Sequence, residues 1–293
     1  MKINGKQMAE KITKHLKKEV KKIKNKPILA VFYVGNAEEN LSFIKTKEKA
    51  IKKINGKFQL FHFKKTPNFE SFANKLKSVA EDPKVTGIII QQPLPSSLTT
   101  ESLFNYIPQE KEIEGHKRKS LYLPPLGLAV LTIIKYIFKA GSKKTVDDII
   151  VNPKKELIFF KNVLKRKKIV LIGRGKTGGQ PIGHILNMMR VNFINVHRQT
   201  PNPEVFYQDA DIIICAVGKK VLVKEMLKPQ VILINVGLRK EDEKWKGDYD
   251  EKEIKDIASF YTPTPGGAGP LDIAYLMCNL VEATKIQQRN LRD

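Results

Sequence analysis

Apolar positions along the first third of the chain switch between two periods. Met8, Ile12, Leu16 and Val20 recur at four-residue steps with lysines between them, which predicts an amphipathic helix ended by Pro27. Residues 28–34 are a continuous apolar run closed by Gly35 and Asn36, the pattern of a strand buried on both faces. Asn40 is then placed to cap a second helix whose inner face carries Phe43, Ala50, Ile51 and Ile54. Phe58, Leu60 and His62 alternate as in a strand, Phe69, Phe72, Leu76 and Val79 return to helical spacing, and 85–91 is another short apolar strand. The order β-α-β-α-β predicts a parallel α/β sheet with its ligand crevice at the carboxyl ends of the strands.

A helix over 126–138 precedes a lysine-rich stretch, 139–166, whose weak periodicity reads as an insertion or linker at a domain boundary. The alternation then restarts with strands over 168–172, 192–196, 211–216 and 231–236, a helix over 180–190, and a last helix over 271–285 behind the glycine-rich 263–270. The predicted fold is α/β with two α/β domains. The second is a Rossmann-like doubly wound parallel sheet, and the C-terminal helix returns to the first. The predicted boundaries are 1–136 with 271–293 for one domain and 137–270 for the other.

Composition narrows the class without naming it. The 293 residues, 41% of them hydrophobic, suit two globular domains of roughly 150 residues. Lys and Arg number 53 against 30 Asp and Glu, a net charge of +23. A nucleic-acid surface is one reading of that excess. The lysines are spread over 17–26, 45–53, 117–119 and 165–168 with no interleaved aromatic pattern, so solvated helix faces are the preferred reading. No apolar run approaches the ~20 residues of a membrane span. Residues 1–6 lack the apolar core of a secretion signal, and Cys215 and Cys278, read as core thiols, make no disulfide framework. A cytoplasmic protein is expected. His15, His62, His116, His184 and His197 show no ligand spacing, so no metal is expected.

Gly173, Gly175 and Gly178 make a G-x-G-x-x-G between a predicted strand and a predicted helix, the context in which this pattern receives a dinucleotide phosphate. A ligand-free strand-to-helix turn is the alternative. The second strand ends in His197, Arg198, Gln199 and Thr200, with no acid to hold a ribose 2′-hydroxyl. Arg174 and Arg198, with the Thr200 hydroxyl, suit a 2′-phosphate instead, which favours NADP over two merely solvated arginines. Phe43 and Lys47 lie one helical turn apart and put an ammonium beside an aromatic face. Gln91 ends a strand, and Glu112 and Glu114 flank a turn; singly, each reads as a loop residue.

Together these residues resemble the bifunctional methylenetetrahydrofolate dehydrogenase/methenyltetrahydrofolate cyclohydrolase family. Val34, Gly35 and Asn36 with Lys47, Gln91 with Pro93, Leu94 and Pro95, Gly173 and Arg174 with Gly179 and Pro181, and the run from Thr262 to Pro270 follow that family's order and spacing. The resemblance implies a cytoplasmic homodimer using NADP on tetrahydrofolate one-carbon derivatives, in the one-carbon metabolism that serves purine biosynthesis. It implies that the pterin lies against the helix face bearing Phe43, that Lys47 and Gln91 act at the one-carbon centre, and that Glu114 binds the pterin edge. It further implies that Pro265, Gly266, Gly267, Gly269 and Pro270 line the folate cleft between the domains. Gly173, Arg174, Gly175, Thr177, Gly178, Gly179, His197, Arg198, Thr200 and Leu238 would hold the cofactor.

Some positions depart from the family's pattern. Phe43 stands for a catalytic Tyr, Glu112 and Glu114 for the acids of an Asp-Val-Asp-Gly turn, and residues 122–125 for a Pro-Cys-Thr-Pro segment. Gly175 stands for Ser, Asn235 for Asp and Asp272 for Thr. Two other readings stay open at this point: an enzyme confined to dehydrogenation or to a modified pterin, and a non-catalytic NADP-binding or nucleic-acid-associated protein.

Overall fold

A computed structural model describes residues 1–100, 102–117, 119–139 and 145–290. The chain divides into two compact units, one of Thr13–Pro125 with Ile273–Asp293, the other of Met1–Ile12 with Leu126–Asp272.

The helix α1 (Gly5–Lys22) buries Met8, Ile12, Leu16 and Val20, as its spacing predicts. In the first unit, β1 (Ile28–Val34) is followed by α2 (Glu38–Lys53), β2 (Lys57–Phe63), α3 (Phe69–Glu81) and β3 (Gly87–Ile90). The three strands are parallel in the order β2-β1-β3. Every position of β1 from Leu29 to Val34 is buried, because the central strand has both faces covered. On the edge strand β2 it is Phe61 and Phe63 that pack on the core cluster around Phe32 and Phe72, while Leu60 is exposed. The helix α2 starts at Glu38 behind Ala37, with no side-chain cap, so Asn40 sits inside the first turn. Asn68 does cap α3, accepting from the Ser71 N–H at 2.7 Å. A short helix α4 (Ser102–Asn105) follows β3.

The second unit holds α5 (Pro125–Phe138), α6 (Val146–Ile149) and α7 (Pro153–Leu164) ahead of its sheet. The last two replace the linker expected over 139–166. Thr145 and Asp148 form a capping box, Asn152 caps α7 with Pro153 in its first turn, and Phe160 and Leu164 are buried. Residues 140–144 of that stretch lie outside the described residues. The alternation then runs β4 (Ile169–Ile172), α8 (Gly179–Met188), β5 (Ile194–Val196), α9 (Glu204–Asp209), β6 (Ile212–Cys215), β7 (Ile232–Asn235), β8 (Arg239–Glu241), β9 (Lys244–Lys246), α10 (Glu251–Ile254), β10 (Phe260–Tyr261) and α11 (Ala268–Asn290). The five-stranded parallel sheet has the order β10-β7-β6-β4-β5, and β8 and β9 make an antiparallel hairpin. Starting from β4, the chain builds outward on both sides, the doubly wound topology of a dinucleotide fold.

Residues 1–12 and α5 fall with this sheet, where the sequence had suggested the first domain. Backbone bonding accounts for it: the Ile3 N–H donates to Tyr261 O at 2.8 Å, the Tyr261 N–H to Met1 O at 3.0 Å, and the Lys6 N–H to Gly266 O at 2.9 Å. The helix α5 lies close on α8, since a Cβ at Gly127 would stand 2.3 Å from Ile185 Cγ1. Residues 273–293 belong with the first unit. There Asn279 Nδ2 donates to Ile113 O at 2.8 Å and Gln287 Nε2 to Thr86 O at 2.9 Å. Cys215 is fully buried and Cys278 is half-buried as a residue, and burial pushes both thiols up, that of Cys278 to about 12. No helix among the described residues is long and apolar enough to cross a membrane.

Candidate functional site

In the first unit the sheet's carboxyl end gathers the predicted chemistry. The Gln91 N–H donates to Phe32 O at 2.9 Å, continuing the β1–β3 ladder by one residue and leaving the side chain just past the strand. From α2, Lys47 Nζ donates to Gln91 Oε1 at 2.9 Å, and Gln91 Nε2 donates to Gln92 O at 2.9 Å. Both ends of a buried amide are thus engaged, which fixes its orientation. Phe43, one turn before Lys47, is half-buried like it. Two residues 44 apart in sequence therefore present one ammonium–amide pair, with an aromatic side chain on the same helix.

The turn carrying Glu114 is organised by its neighbours. Glu112 is 1% exposed, and its carboxylate accepts the N–H of Glu114 at 3.0 Å and of His116 at 3.3 Å. Lys111 points the other way and caps the end of α3, donating to Ala80 O and Asp82 O at 2.7 Å each. Burial lowers the pKa of that lysine. Glu114 stays half-buried, 3.5 Å from His116 Nε2. Residue by residue, the sequence reads both acids as flanking a turn, and the family resemblance gives the pterin edge to Glu114 alone. The structure separates them, Glu112 as an internal cap and Glu114 as the partly open carboxylate.

In the second unit the glycine turn lies between β4 and α8. Gly173 has φ +109°, and a Cβ there would meet Ala216 O at 2.7 Å. At Gly179 a Cβ would stand 2.1 Å from Gly173 O, inside any real contact. Gly178, the residue before α8, lies against Ala216, whereas Gly175 faces open space. Crowding in the turn falls on Gly173 and Gly179, which bring backbone close to backbone at the start of a helix, the end at which an anion would be held. Arg174, Gly175 and Thr177 are exposed there.

Beyond β5, the Thr200 hydroxyl accepts the His197 N–H at 3.0 Å and the Thr200 N–H returns to His197 O at 2.8 Å, closing a tight turn. Arg174 Nη2 donates to Gln199 Oε1 at 3.2 Å, which brings the first arginine to the turn that carries Arg198. Both guanidinium groups are exposed, with no acid in the turn between them. A 2′-phosphate fits this donor set. Sequence reasoning missed Asn195, whose amide donates to Leu171 O at 3.1 Å and Gly173 O at 2.8 Å and so props the glycine turn.

Pro265, Gly266, Gly267, Gly269 and Pro270 belong to this second unit, not to the unit of Lys47 and Gln91. Gly267 is buried, its carbonyl pressed on Gly5, while Pro265 and Gly269 are exposed. Leu238 is 39% exposed, with its carbonyl 2.8 Å from where a Cβ of Gly218 would lie. Asp248 went unread in the sequence, a lone acid in a charged stretch. It is wholly buried here, and its carboxylate accepts three consecutive backbone N–H groups. Among the described residues, no three His, Cys, Asp or Glu side chains are grouped as a metal site.

Comparison with known proteins covers both units. Residues 3–114 match the catalytic-domain model of tetrahydrofolate dehydrogenase/cyclohydrolase, and residues 156–288 match its NAD(P)-binding domain. A bifunctional protein FolD from Staphylococcus aureus (strain JH9) is 31% identical over 291 residues, covering 98% of this chain and 97% of that relative. The crystal structure of the FolD methylenetetrahydrofolate dehydrogenase/cyclohydrolase from Campylobacter jejuni superposes with a TM-score of 0.82 at 26% identity, over 98% of this chain and 99% of that one. A 5,10-methylenetetrahydrofolate dehydrogenase from the silkworm Bombyx mori does so at 0.81 and 26%, over 99% of each chain. With both family models matched and a relative of this identity spanning nearly its whole length, the chain belongs to the tetrahydrofolate dehydrogenase/cyclohydrolase family.

Proposed function

We propose that the protein oxidises 5,10-methylenetetrahydrofolate with NADP and then hydrolyses the 5,10-methenyl product to 10-formyltetrahydrofolate. The observation that carries this reading is the Lys47–Gln91 pair, held at 2.9 Å at the carboxyl end of a parallel sheet. In the first step a hydride leaves the methylene carbon for the nicotinamide ring, and the substrate becomes the methenyl cation. That step needs no strong base; it needs the two carbons held about 3–3.5 Å apart, an orientation task. In the second step water adds to the methenyl carbon, a proton leaves, and one carbon–nitrogen bond opens to the formyl product. Lys47 stands to move that proton and to stabilise oxygen charge, with Gln91 fixing the direction of the ammonium. Phe43 offers a face for the pterin, and Glu114 pairs with the donors of its amino-pyrimidinone edge.

NADP is the cofactor that suits the second unit, because Gly173, Gly178 and Gly179 let the turn after β4 close tightly at the start of α8, the helix end that receives a pyrophosphate, and Arg174, Arg198 and Thr200 offer donors to the 2′-phosphate. His197, Leu238 and Thr177 complete that set. Arg198→Ala is expected to weaken NADP binding about tenfold to hundredfold, the loss of a charge-assisted hydrogen bond, and to leave NAD binding unchanged. Titration of both dinucleotides checks it, and equal affinity of the unsubstituted protein for the two would overturn the assignment. Family resemblance further supports a cytoplasmic homodimer whose product serves purine biosynthesis. The reading as a whole is tested by incubating the protein with methylenetetrahydrofolate and each nicotinamide cofactor. Formation of reduced NADP followed by loss of the methenyl absorbance is the expected result, and neither signal appearing would overturn it.

A further inference from the structure

We infer that Asp248 is a positioning residue for the dinucleotide: its buried carboxylate sets the shape of the turn after β6 that forms one wall of the cofactor crevice. The inference rests on the NADP reading above. Strand order places the switch point, where successive connections run to opposite sides of the sheet, between β4 and β6, and ligands of such sheets lie outside the carboxyl ends of those strands. The turns after β4 and β6 touch there, since Gly173 and Gly178 both have Ala216 as their nearest neighbour.

Immediately after Ala216, the N–H groups of Val217, Gly218 and Lys219 point inward to Asp248, at 2.8 Å to Oδ2 and at 2.9 and 3.2 Å to Oδ1. Three successive backbone N–H groups form an anion nest, and here the anion is the protein's own. The carboxylate is itself seated. Its backbone N–H donates to Asn235 Oδ1 at 2.8 Å, and Gly237 leaves the space it fills, since a Cβ at 237 would lie 2.1 Å from Oδ1. The opposite side of the same turn faces outward. Val217 is 41% exposed, and Gly218, at φ +72°, rests against the carbonyl of the exposed Leu238. Two apolar side chains thus flank a turn whose three N–H groups are drawn inward, a surface suited to a flat ring and its ribose. Without the carboxylate, the three N–H groups would turn toward the crevice or toward water, and the wall would lose its form.

The test uses the full-length protein with NADP as the probe. Binding by the unsubstituted protein is measured first; no binding overturns the cofactor reading itself and this inference with it. Asp248→Asn is expected to raise the Kd and KM for NADP about tenfold to hundredfold, the range for bonds to a charged group. The cyclohydrolase rate, which uses no NADP, should be unchanged. Gly237→Ala leaves the carboxylate in the sequence but displaces it, and should raise the same two constants. A role confined to folding would lower the melting temperature and leave the KM for NADP in the folded protein where it was, and that result overturns the proposal. Failure of both variants to fold assigns Asp248 to the scaffold and overturns it equally.

Discussion

Replacing Lys47 by Met lowers the cyclohydrolase rate by about 10²–10⁴-fold, the usual contribution of a positioned proton-transfer group, while NADP binding persists. Met keeps the length of the side chain and removes the ammonium. It also leaves Gln91 Oε1, buried at the sheet's end, without the partner it has at 2.9 Å, so a loss of about 1–3 kcal/mol in stability accompanies the change. The two effects separate in the assay. Hydride transfer depends on how substrate and cofactor are oriented, so the dehydrogenase signal should fall far less than the hydrolysis of added methenyltetrahydrofolate. Unchanged hydrolysis in Lys47→Met would remove Lys47 from the chemistry and leave only fold and cofactor to the family reading.

The second large effect runs in the opposite direction. Phe43→Tyr adds a hydroxyl one helical turn from Lys47, on a half-buried position of α2 that already accommodates the ring. If that hydroxyl joins the proton relay, cyclohydrolase activity rises by as much as about 10²-fold, the lower end of what such a group contributes. The comparison is made at saturating methenyltetrahydrofolate, so that a change in affinity is not read as a change in rate. No gain, or a loss, would mean that Phe43 belongs to a site fitted to another pterin or to dehydrogenation.

Legibility in the sequence followed the range of the interactions. The unbroken run Ile28–Val34 and the four-residue steps of α1 report local burial, and both elements lie where those patterns put them. Strands of two or three residues, β8 to β10, are too short for any period to register. The helix α7 escaped for a different reason: its buried side chains are Pro153, Phe160 and Leu164, too sparse a stripe within lysines to stand out. On β2 the alternation is visible but does not decide the face, because the strand is apolar on both: Phe61 and Phe63 turn to the core while Leu60 is exposed on an edge strand.

The candidate site divides in the same way. The glycine turn was legible because close backbone approach demands glycine wherever it occurs, although it takes the folded turn to show that Gly179, rather than Gly175, meets the crowding. Pairing of Lys47 with Gln91 depends on strand order and on the length of α2, and entered the sequence reading through resemblance alone. Asp248 and Asn195 gave no signal at all. A buried acid and a propping amide look like any other polar residue until the chain closes around them.

Lys111 and Glu112 have a consequence for motion. One ties the segment to the end of α3 and the other collects the amides of Glu114 and His116, so adjacent residues fasten an irregular segment to the body of the unit and hold its turn closed. Segments of this kind do not fray independently; their amides open only when the surrounding cooperative unit opens. The acid proposed for the pterin is therefore carried on a stretch that has the shape of a loop and is held by side-chain bonds in place of a ladder.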